Sequence, residues 1–333
     1  MKLGLSTIGM DLSPGPLREL GQRAEALGYD SIWTSEAWGR DAFMPLAYLA
    51  ASTTTIKLGT AIAQIFARTP AATAMTALTL QQLSDGRLLL GLGVSGPQVV
   101  EGWHGVPFRR PLAATRDSVA ILRQALAAEA RVEHAGDAFA VPFRGEGATG
   151  LGRPLRTSMP GAPETPIFIA ALGPRNTDLA VEIGDGLLPY MWSPLHWKNV
   201  WGDALARAKP GYRVAPTVFA AVGDDIAACR DTIRPRIALH VGGMGSREQN
   251  FYKTLIERYG REDEAQRIQD LFLSGDRKGA TAAVSDDLVD ELSLVGPPAH
   301  IADQLAAWRA CPLDTLIVEP TGERAVEKIA ELW

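Results

Sequence analysis

Two cysteines in 333 residues, Cys229 and Cys311, are too few and too far apart to staple the chain or to hold a zinc ion. Their scarcity excludes a disulfide scaffold and leads us to expect a reducing, cytoplasmic setting. Basic side chains are also in deficit: 33 Lys and Arg stand against 38 Asp and Glu, a net charge of −5. Nucleic acids and anionic membranes need a basic face, so small molecules are the expected partners. No apolar run approaches the roughly 18 residues of a membrane span, and Met1 to Ile8 lacks the charged and then apolar pattern of a secretory signal, so neither an anchor nor a leader is expected. The five histidines show no metal-ligand spacing such as H-E-x-x-H, and no metal site is expected.

What the chain does have is hydrophobic content, 46%, enough to bury a large core. That content is distributed as short apolar strands alternating with helical periods. Lys2 to Thr7 reads as a strand, and Ser13-Pro14 opens a helix on Leu17, Leu20, Ala24 and Leu27 that Gly28 stops. Tyr29 to Thr34, Ile56 to Ile62, Arg87 to Gly93, Pro166 to Ala171, Gly186 to Met191, Tyr212 to Val222 and Asp314 to Glu319 read as further strands. Between them lie helices at Phe43 to Thr53, from Thr69-Pro70 to Ser84, around Thr115, Val119, Leu122 and Leu126, and at Arg175 to Ile183. Residues 135–165 are rich in glycine and proline and read as an insertion or lid, and polar helices fill Asp225 to Leu292. Eight strands alternating with helices imply a parallel sheet, and the number favours a single α/β domain, a (β/α)8 TIM barrel with an insertion after its fourth helix and extra helices before its last strand. Chemistry in such a barrel sits where strands end, which nominates Ser6, Glu36, Ala61, Ile62, Gly93 to Ser95, Leu172-Gly173, Tyr190 and Glu319.

Gly91-Leu92-Gly93-Val94-Ser95-Gly96 matches G-x-G-x-x-G after a strand, but Pro97 and Trp103-His104-Gly105 intervene where a dinucleotide fold would open its helix at once. Either these glycines let backbone approach a flat ring, or they make a tight loop. Ala170 to Arg175 ends a strand and begins a helix, whose free N–H groups form an anion site with Arg175 beside it; an ordinary barrel loop is the other reading. Val94-Ser95-Gly96 lacks the G-x-S-x-G frame of a nucleophile elbow, which disfavours covalent hydrolysis. His104 flanks the expected mouth, where a group titrating near neutrality is useful. Trp33, Trp38 and Trp103 fall near strand ends and either stack on a cofactor or close off the barrel.

Read as wording, several of these phrases resemble the luciferase-like oxidoreductases, specifically the branch that uses a deazaflavin, coenzyme F420. The resemblance runs through Glu36-Ala37-Trp38-Gly39-Arg40-Asp41-Ala42-Phe43, Leu58-Gly59-Thr60-Ala61-Ile62, Gly91 to Gln98, Gly102-Trp103-His104-Gly105, Ala171-Leu172-Gly173-Pro174, Asp185-Gly186 and Val295-Gly296-Pro297. It implies a non-proline cis peptide at Ala61-Ile62 beneath the bent ring, an acidic residue near the ring at Glu36, and a cofactor site of Ser6, Glu36, Ala61, Ile62, Val94 and Ser95, with Leu172, Gly173, Pro174 and Arg175 toward the phosphate. Arg40, Arg68, Arg109 and Arg175 are candidates to line the exit of the anionic tail. The sequence departs from some members: Ala37 stands where they carry a catalytic histidine, and Val94 where sugar-phosphate-oxidising relatives carry a glutamate. That puts the sugar phosphate reaction in doubt.

The expected chemistry is hydride transfer between F420 and a C=C, C=O or C=N of a small apolar substrate lying under residues 135–165, with Glu36 or His104 managing the proton. An FMN-dependent monooxygenase on the same barrel, or a barrel that binds cofactor without turnover, are the alternatives. The resemblance also implies a homodimer.

Overall fold

The computed structural model describes residues 1–333, the side chain of Glu323 excepted. The strands begin with β1 (Lys2–Ser6), β2 (Ser31–Thr34), β3 (Lys57–Thr60) and β4 (Leu88–Gly93), separated by helices α1 (Pro14–Ala26), α2 (Phe43–Ala50) and α3 (Pro70–Leu83). Then come α4 (Pro111–Ala127), β5 (Ile167–Ile169), α5 (Pro174–Ile183), β6 (Gly186–Leu187) and β7 (Thr217–Val222). Five helices follow: α6 (Ile226–Gly243), α7 (Phe251–Arg258), α8 (Glu262–Leu273), α9 (Arg277–Ala282) and α10 (Asp286–Leu292). The chain closes with β8 (Ser293–Gly296), α11 (Pro298–Arg309), β9 (Thr315–Pro320) and α12 (Glu323–Leu332).

The helix ends follow the chemistry read from the sequence. Thr69 caps α3 by accepting from the Ala72 N–H at 3.2 Å, with Pro70 preset in the first turn. Asp225 caps α6 by accepting from the N–H groups of Ala227 and Ala228.

All neighbouring strands of the main sheet are parallel. β1 lies between β2 and β9, and the order continues from β2 through β3, β4 and β5 to β6. β9 pairs with β7 on its other side. Arg213–Val214, just before β7, pairs with β6, and the Ala215 N–H donates to the Leu187 carbonyl at 2.9 Å. The sheet therefore curls until its ends meet, giving an α/β fold whose ring of strands uses the eight segments expected from the sequence.

Most strand ends differ from expectation by a residue or two, β5 keeping Ile167–Ile169 of the expected Pro166 to Ala171, and three strands differ for a visible reason. Proline 216 has no N–H to give, so the segment expected as Tyr212 to Val222 is interrupted between Val214 and Thr217. Pro189 likewise leaves β6 at two residues, with a single bridge further on from Tyr190 to Thr217. β3 stops at Thr60, after which the Ala61–Ile62 peptide is cis and Ala63–Gln64 rejoins β4. β8, which the sequence reading did not contain, pairs with the upper part of β7.

Inside the ring, Trp33, Leu89, Phe168, Leu188 and Ile317 form a buried plug, with Ala61 and Ile62 packed on top. Trp33 meets Phe168 edge to face at 5.7 Å. Its ring fits because residue 59 is glycine: a Cβ there would lie 2.2 Å from Trp33. Trp33 thus closes the ring interior rather than facing a ligand.

Residues 135–165 contain one short hairpin, His134–Ala135 with Ala140–Val141. It is tied to α4 by Asp117, whose carboxylate accepts from the His134 ring and from the N–H groups of Ala138 and Phe139. No helix among the described residues is long and apolar enough to cross a membrane.

Candidate active site

At the end of the ring where the strands finish lies a cavity of about 530 Å³. Ile62 follows β3, Gly93 ends β4 and Val94 to Gly96 follow it, Ala170 to Asn176 lead from β5 into α5, and Leu188 and Tyr190 follow β6. Ala37 and Trp38 after β2, Gln98 and Val99 after β4, and Phe108, Pro111 and Leu112 at the start of α4 add to the wall, and Gly243 to Gly245 with Phe251 and Tyr252 close it at the junction of α6 and α7. The walls are largely apolar, with a few polar groups aimed inward, as small-molecule sites are. Ser95 (φ 58°) on the wall, and Met191 (φ 55°) buried just past Tyr190, adopt left-handed backbone without being glycine, a feature concentrated at functional sites.

Of the residues expected at the site, Ile62, Val94, Ser95, Leu172, Gly173, Pro174 and Arg175 line this cavity. The structure puts Ser6, Glu36, Ala61 and His104 elsewhere. Ala61 packs on the ring plug directly behind Ile62. The Ser6 hydroxyl is buried and accepts from the Ile8 N–H at 3.3 Å. His104 lies behind the loop after β4, its N–H donating to Val99, and its Nε2 is buried with no partner among the described residues. Residues 135–165 contribute nothing to the lining, because Asp117 holds their hairpin to α4; the cover comes from α6 and α7 instead.

Glu36 is fully engaged in building the ledge that ends at Ile62. Its N–H donates to the Ile62 carbonyl at 3.2 Å, and its carboxylate accepts from the Gln64 N–H at 2.8 Å, the Ala42 N–H at 3.2 Å and Arg68 at 2.6 Å. Arg68 also pairs with Asp41. The carboxylate is 7% exposed and has no free face toward the cavity.

At the start of α5, Gly173 is the N-cap and offers no side chain to the first-turn N–H groups, while Pro174 and Arg175 follow it into the cavity wall. An uncapped helix start beside an arginine is a ready anion site. Asn176, which sequence reasoning passed over, adds to it: its Nδ2 donates to the Ala170 carbonyl at 3.1 Å, leaving a buried Oδ1 with no partner among the described residues. Of the other arginines considered for an anionic tail, Arg68 and Arg109 line a separate cavity of about 740 Å³, and Arg40 donates to the Met10 carbonyl.

A buried polar chain underlies Tyr190. The Tyr190 hydroxyl donates to Glu319 Oε2 at 3.2 Å, and Glu319, 1% exposed, gives its other oxygen to Arg236. His240 lies one turn further along α6, with Nδ1 2.7 Å from the Arg236 carbonyl. Its ring sits 5.0 Å from Tyr190 and 4.8 Å from Tyr252. Burial pushes the His240 imidazole down to about 4, so it is neutral near pH 7 and Nδ1 carries the proton donated to Arg236. Burial pushes the Tyr252 phenol up to about 12 and that of Tyr190 higher still, so both keep their protons. Tyr190 and Glu319 were legible as strand ends; Arg236, His240 and Tyr252 lie in helices with no motif to mark them.

The model of the luciferase-like monooxygenase family matches residues 4–315. A Mycobacterium tuberculosis protein that carries the name of a coenzyme F420-dependent oxidoreductase is 41% identical, over 100% of this chain and 99% of its own length. A 5,10-methylenetetrahydromethanopterin reductase of Archaeoglobus fulgidus is 30% identical over 92% of the chain and 89% of its own. Among solved structures, the coenzyme F420-dependent tetrahydromethanopterin reductase of Methanopyrus kandleri superposes with a TM-score of 0.78 at 22% identity, covering 99% of this chain and 97% of the other.

Proposed function

Since the chain belongs to the luciferase-like monooxygenase family, we propose that it is an F420-dependent oxidoreductase that moves a hydride between this deazaflavin and a small, largely apolar organic substrate. One observation carries the proposal: an apolar cavity over Ile62 that runs to an uncapped helix start at Gly173, with Arg175 and the orphaned Asn176 Oδ1 beside it. A flat ring with a polar, phosphate-bearing tail suits that combination. Ile62, Val94 and Ser95 would flank the ring, and Leu172, Gly173, Pro174 and Arg175 would hold the phosphate, with Asn176 accepting from a hydroxyl of the connecting chain. When bound, the deazaflavin supplies two electrons and a proton as hydride from a ring carbon. The chain's own residues then position substrate, exclude water and handle one further proton. Glu36 fits a positioning role, fixing the Ile62 ledge, better than an acid–base one. The same reading takes the curled sheet as a (β/α)8 barrel in which residues 135–165 and helices α6 to α10 are additions.

Titration of the protein with F420 and, separately, with FMN, following tryptophan quenching and cofactor absorbance, tests the assignment. Micromolar or tighter binding of F420 alone is the expected result. Preference for FMN would overturn it and point to oxygen-dependent chemistry, and tight F420 binding without hydride transfer to any substrate would leave a binding protein.

We further propose pairing with a second copy through α2 and α3, where Met44, Met75 and Leu83 are each more than half exposed; light scattering of a Met75→Glu, Leu83→Glu variant should then read monomer. Cys229 and Cys311, both free and buried, suit a cytoplasmic setting.

A further inference from the structure

We infer that Tyr190 receives the reacting hydroxyl of the substrate and passes its proton to Glu319. The inference rests on the hydride-transfer reading above. Neither Glu36 nor His104 lines the cavity, so the proton that must accompany the hydride needs another carrier. Among the described lining residues, Tyr190 is the one whose side chain hydrogen-bonds a carboxylate.

The geometry sets the polarity of the contact. The hydroxyl hydrogen of Tyr190 is committed to Glu319 Oε2, and Glu319 Oε1 to Arg236. What Tyr190 offers the cavity is therefore an oxygen lone pair, which accepts from an O–H and has nothing to offer an ether or a bare hydrocarbon. Phe219 packs edge-on against the Tyr190 ring at 5.6 Å, with His240 at 5.0 Å and Tyr252 at 6.0 Å around it, so the phenol has little freedom to turn away. Arg236 is a positioning residue: its guanidinium holds Glu319 through Oε1 and leaves Oε2 turned to Tyr190.

The step balances. In the oxidative direction the carbinol C–H bond breaks and its hydride goes to oxidised deazaflavin. The substrate O–H proton moves to Tyr190 Oη as the proton already there moves to Glu319 Oε2, and a C=O bond forms. Reduction of a carbonyl takes the same steps in reverse, with Glu319 starting protonated. The substrate is thereby placed in the class of alcohols or the carbonyl compounds they yield, rather than alkenes.

The first test needs no cofactor. Binding of cyclohexanol and of methoxycyclohexane to the protein, measured by calorimetry or ligand-observed NMR, should favour the alcohol by roughly fivefold or more. Tyr190→Phe should erase the preference. Glu319→Gln, whose one amide oxygen goes to Arg236 and whose NH2 then donates to Tyr190, should weaken it, because the freed phenol hydrogen serves an ether as well as an alcohol. The second test uses F420 and a panel of secondary alcohols in single turnover. Glu319→Gln should bind F420 within about twofold of wild type while hydride transfer falls by about 100-fold or more, the scale of a lost general base. A preference that is absent, or that survives Tyr190→Phe, would overturn the assignment of Tyr190. Full-rate transfer in Glu319→Gln, or no oxidation of any alcohol by wild type that binds both F420 and cyclohexanol, would overturn the relay. Failure of wild type to bind F420 would remove the cofactor reading while the alcohol preference still decided the role of Tyr190.

Discussion

Replacing Glu36 with alanine separates a structural from a catalytic carboxylate. The substitution strips the acceptor from three donors: Arg68 at 2.6 Å, the Gln64 N–H at 2.8 Å and the Ala42 N–H at 3.2 Å. The charge-assisted bond to Arg68 is worth about 1.5 kcal/mol at the low end of its range. The low end applies because Arg68 is 23% exposed and keeps Asp41. The two backbone donors add about 0.5–1 kcal/mol each, giving about 3 kcal/mol in total. With an unfolding entropy of about 2.1 cal/mol/K per residue, a chain of this size loses roughly 4 °C of Tm for that amount. The loosened Ile62 ledge should also weaken F420 binding by about tenfold, since one lost contact of about 1.4 kcal/mol is one decade. Differential scanning fluorimetry and cofactor titration measure both. Glu36→Gln, which keeps an acceptor but not the charge, should lose about 1 kcal/mol and retain its hydride-transfer rate. A Glu36→Ala variant with unchanged Tm, or a Glu36→Gln variant that stays folded and cofactor-bound but loses transfer by about 100-fold, would refute the reasoning.

Asn176→Ala should weaken F420 binding by about five- to tenfold through loss of the unpaired Oδ1 acceptor, and titration of the variant beside wild type measures it. In Gly93→Ala the new Cβ would stand 2.9 Å from Ile62 Cγ1 and 3.4 Å from Ala170. Its displacement of Ile62 should cost about 1 kcal/mol of stability and lower cofactor affinity, whereas an unchanged affinity would place the ring away from Ile62. His240 is held down to about 4 in the folded state against about 6.5 when unfolded, so the unfolded chain takes up the proton first. Its stability contribution is complete above pH 6.5 and is lost as the pH falls toward 4. From pH 7.5 to pH 5 the loss is about 2 kcal/mol, and in His240→Gln the pH dependence of the urea midpoint should shrink by that amount.

The eight ring strands were legible because each is a short apolar run closed by glycine, proline or a capping residue, a local signal. Their lengths were less so: Pro189 and Pro216 shorten β6 and interrupt the approach to β7 only because of where they fall relative to a neighbouring strand. β8 was missed because Ser-Leu-Val-Gly is too short to show a period, and its strand character comes from β7. At the site, the stretches after β4 and β5 were readable since backbone, glycine and proline form them. Glu36 was found at the right strand end, but its availability depended on Arg68, which reaches it across the fold from 32 residues away. Asn176, Arg236, His240 and Tyr252 carried no local mark, because what sets them apart is the direction they face once their helices dock.

The cavity's two functions arrive on separable stretches of chain. The wall that suits a cofactor is built from the loops after β3, β4 and β5, whereas Arg236, His240 and Tyr252 all come from the helical block interposed between β7 and β9. That block meets the cavity through few residues and touches the approach to the Gly173 helix start through Arg258, which donates to the Leu172 carbonyl at 3.2 Å, so a barrel of this plan can acquire a new repertoire by remodelling one contiguous insert that keeps this contact. The redox half of the enzyme would be inherited intact while the insert alone diversifies, and chimaeras cut at Val222 and Ser293 would be the natural units for redesigning what it acts upon.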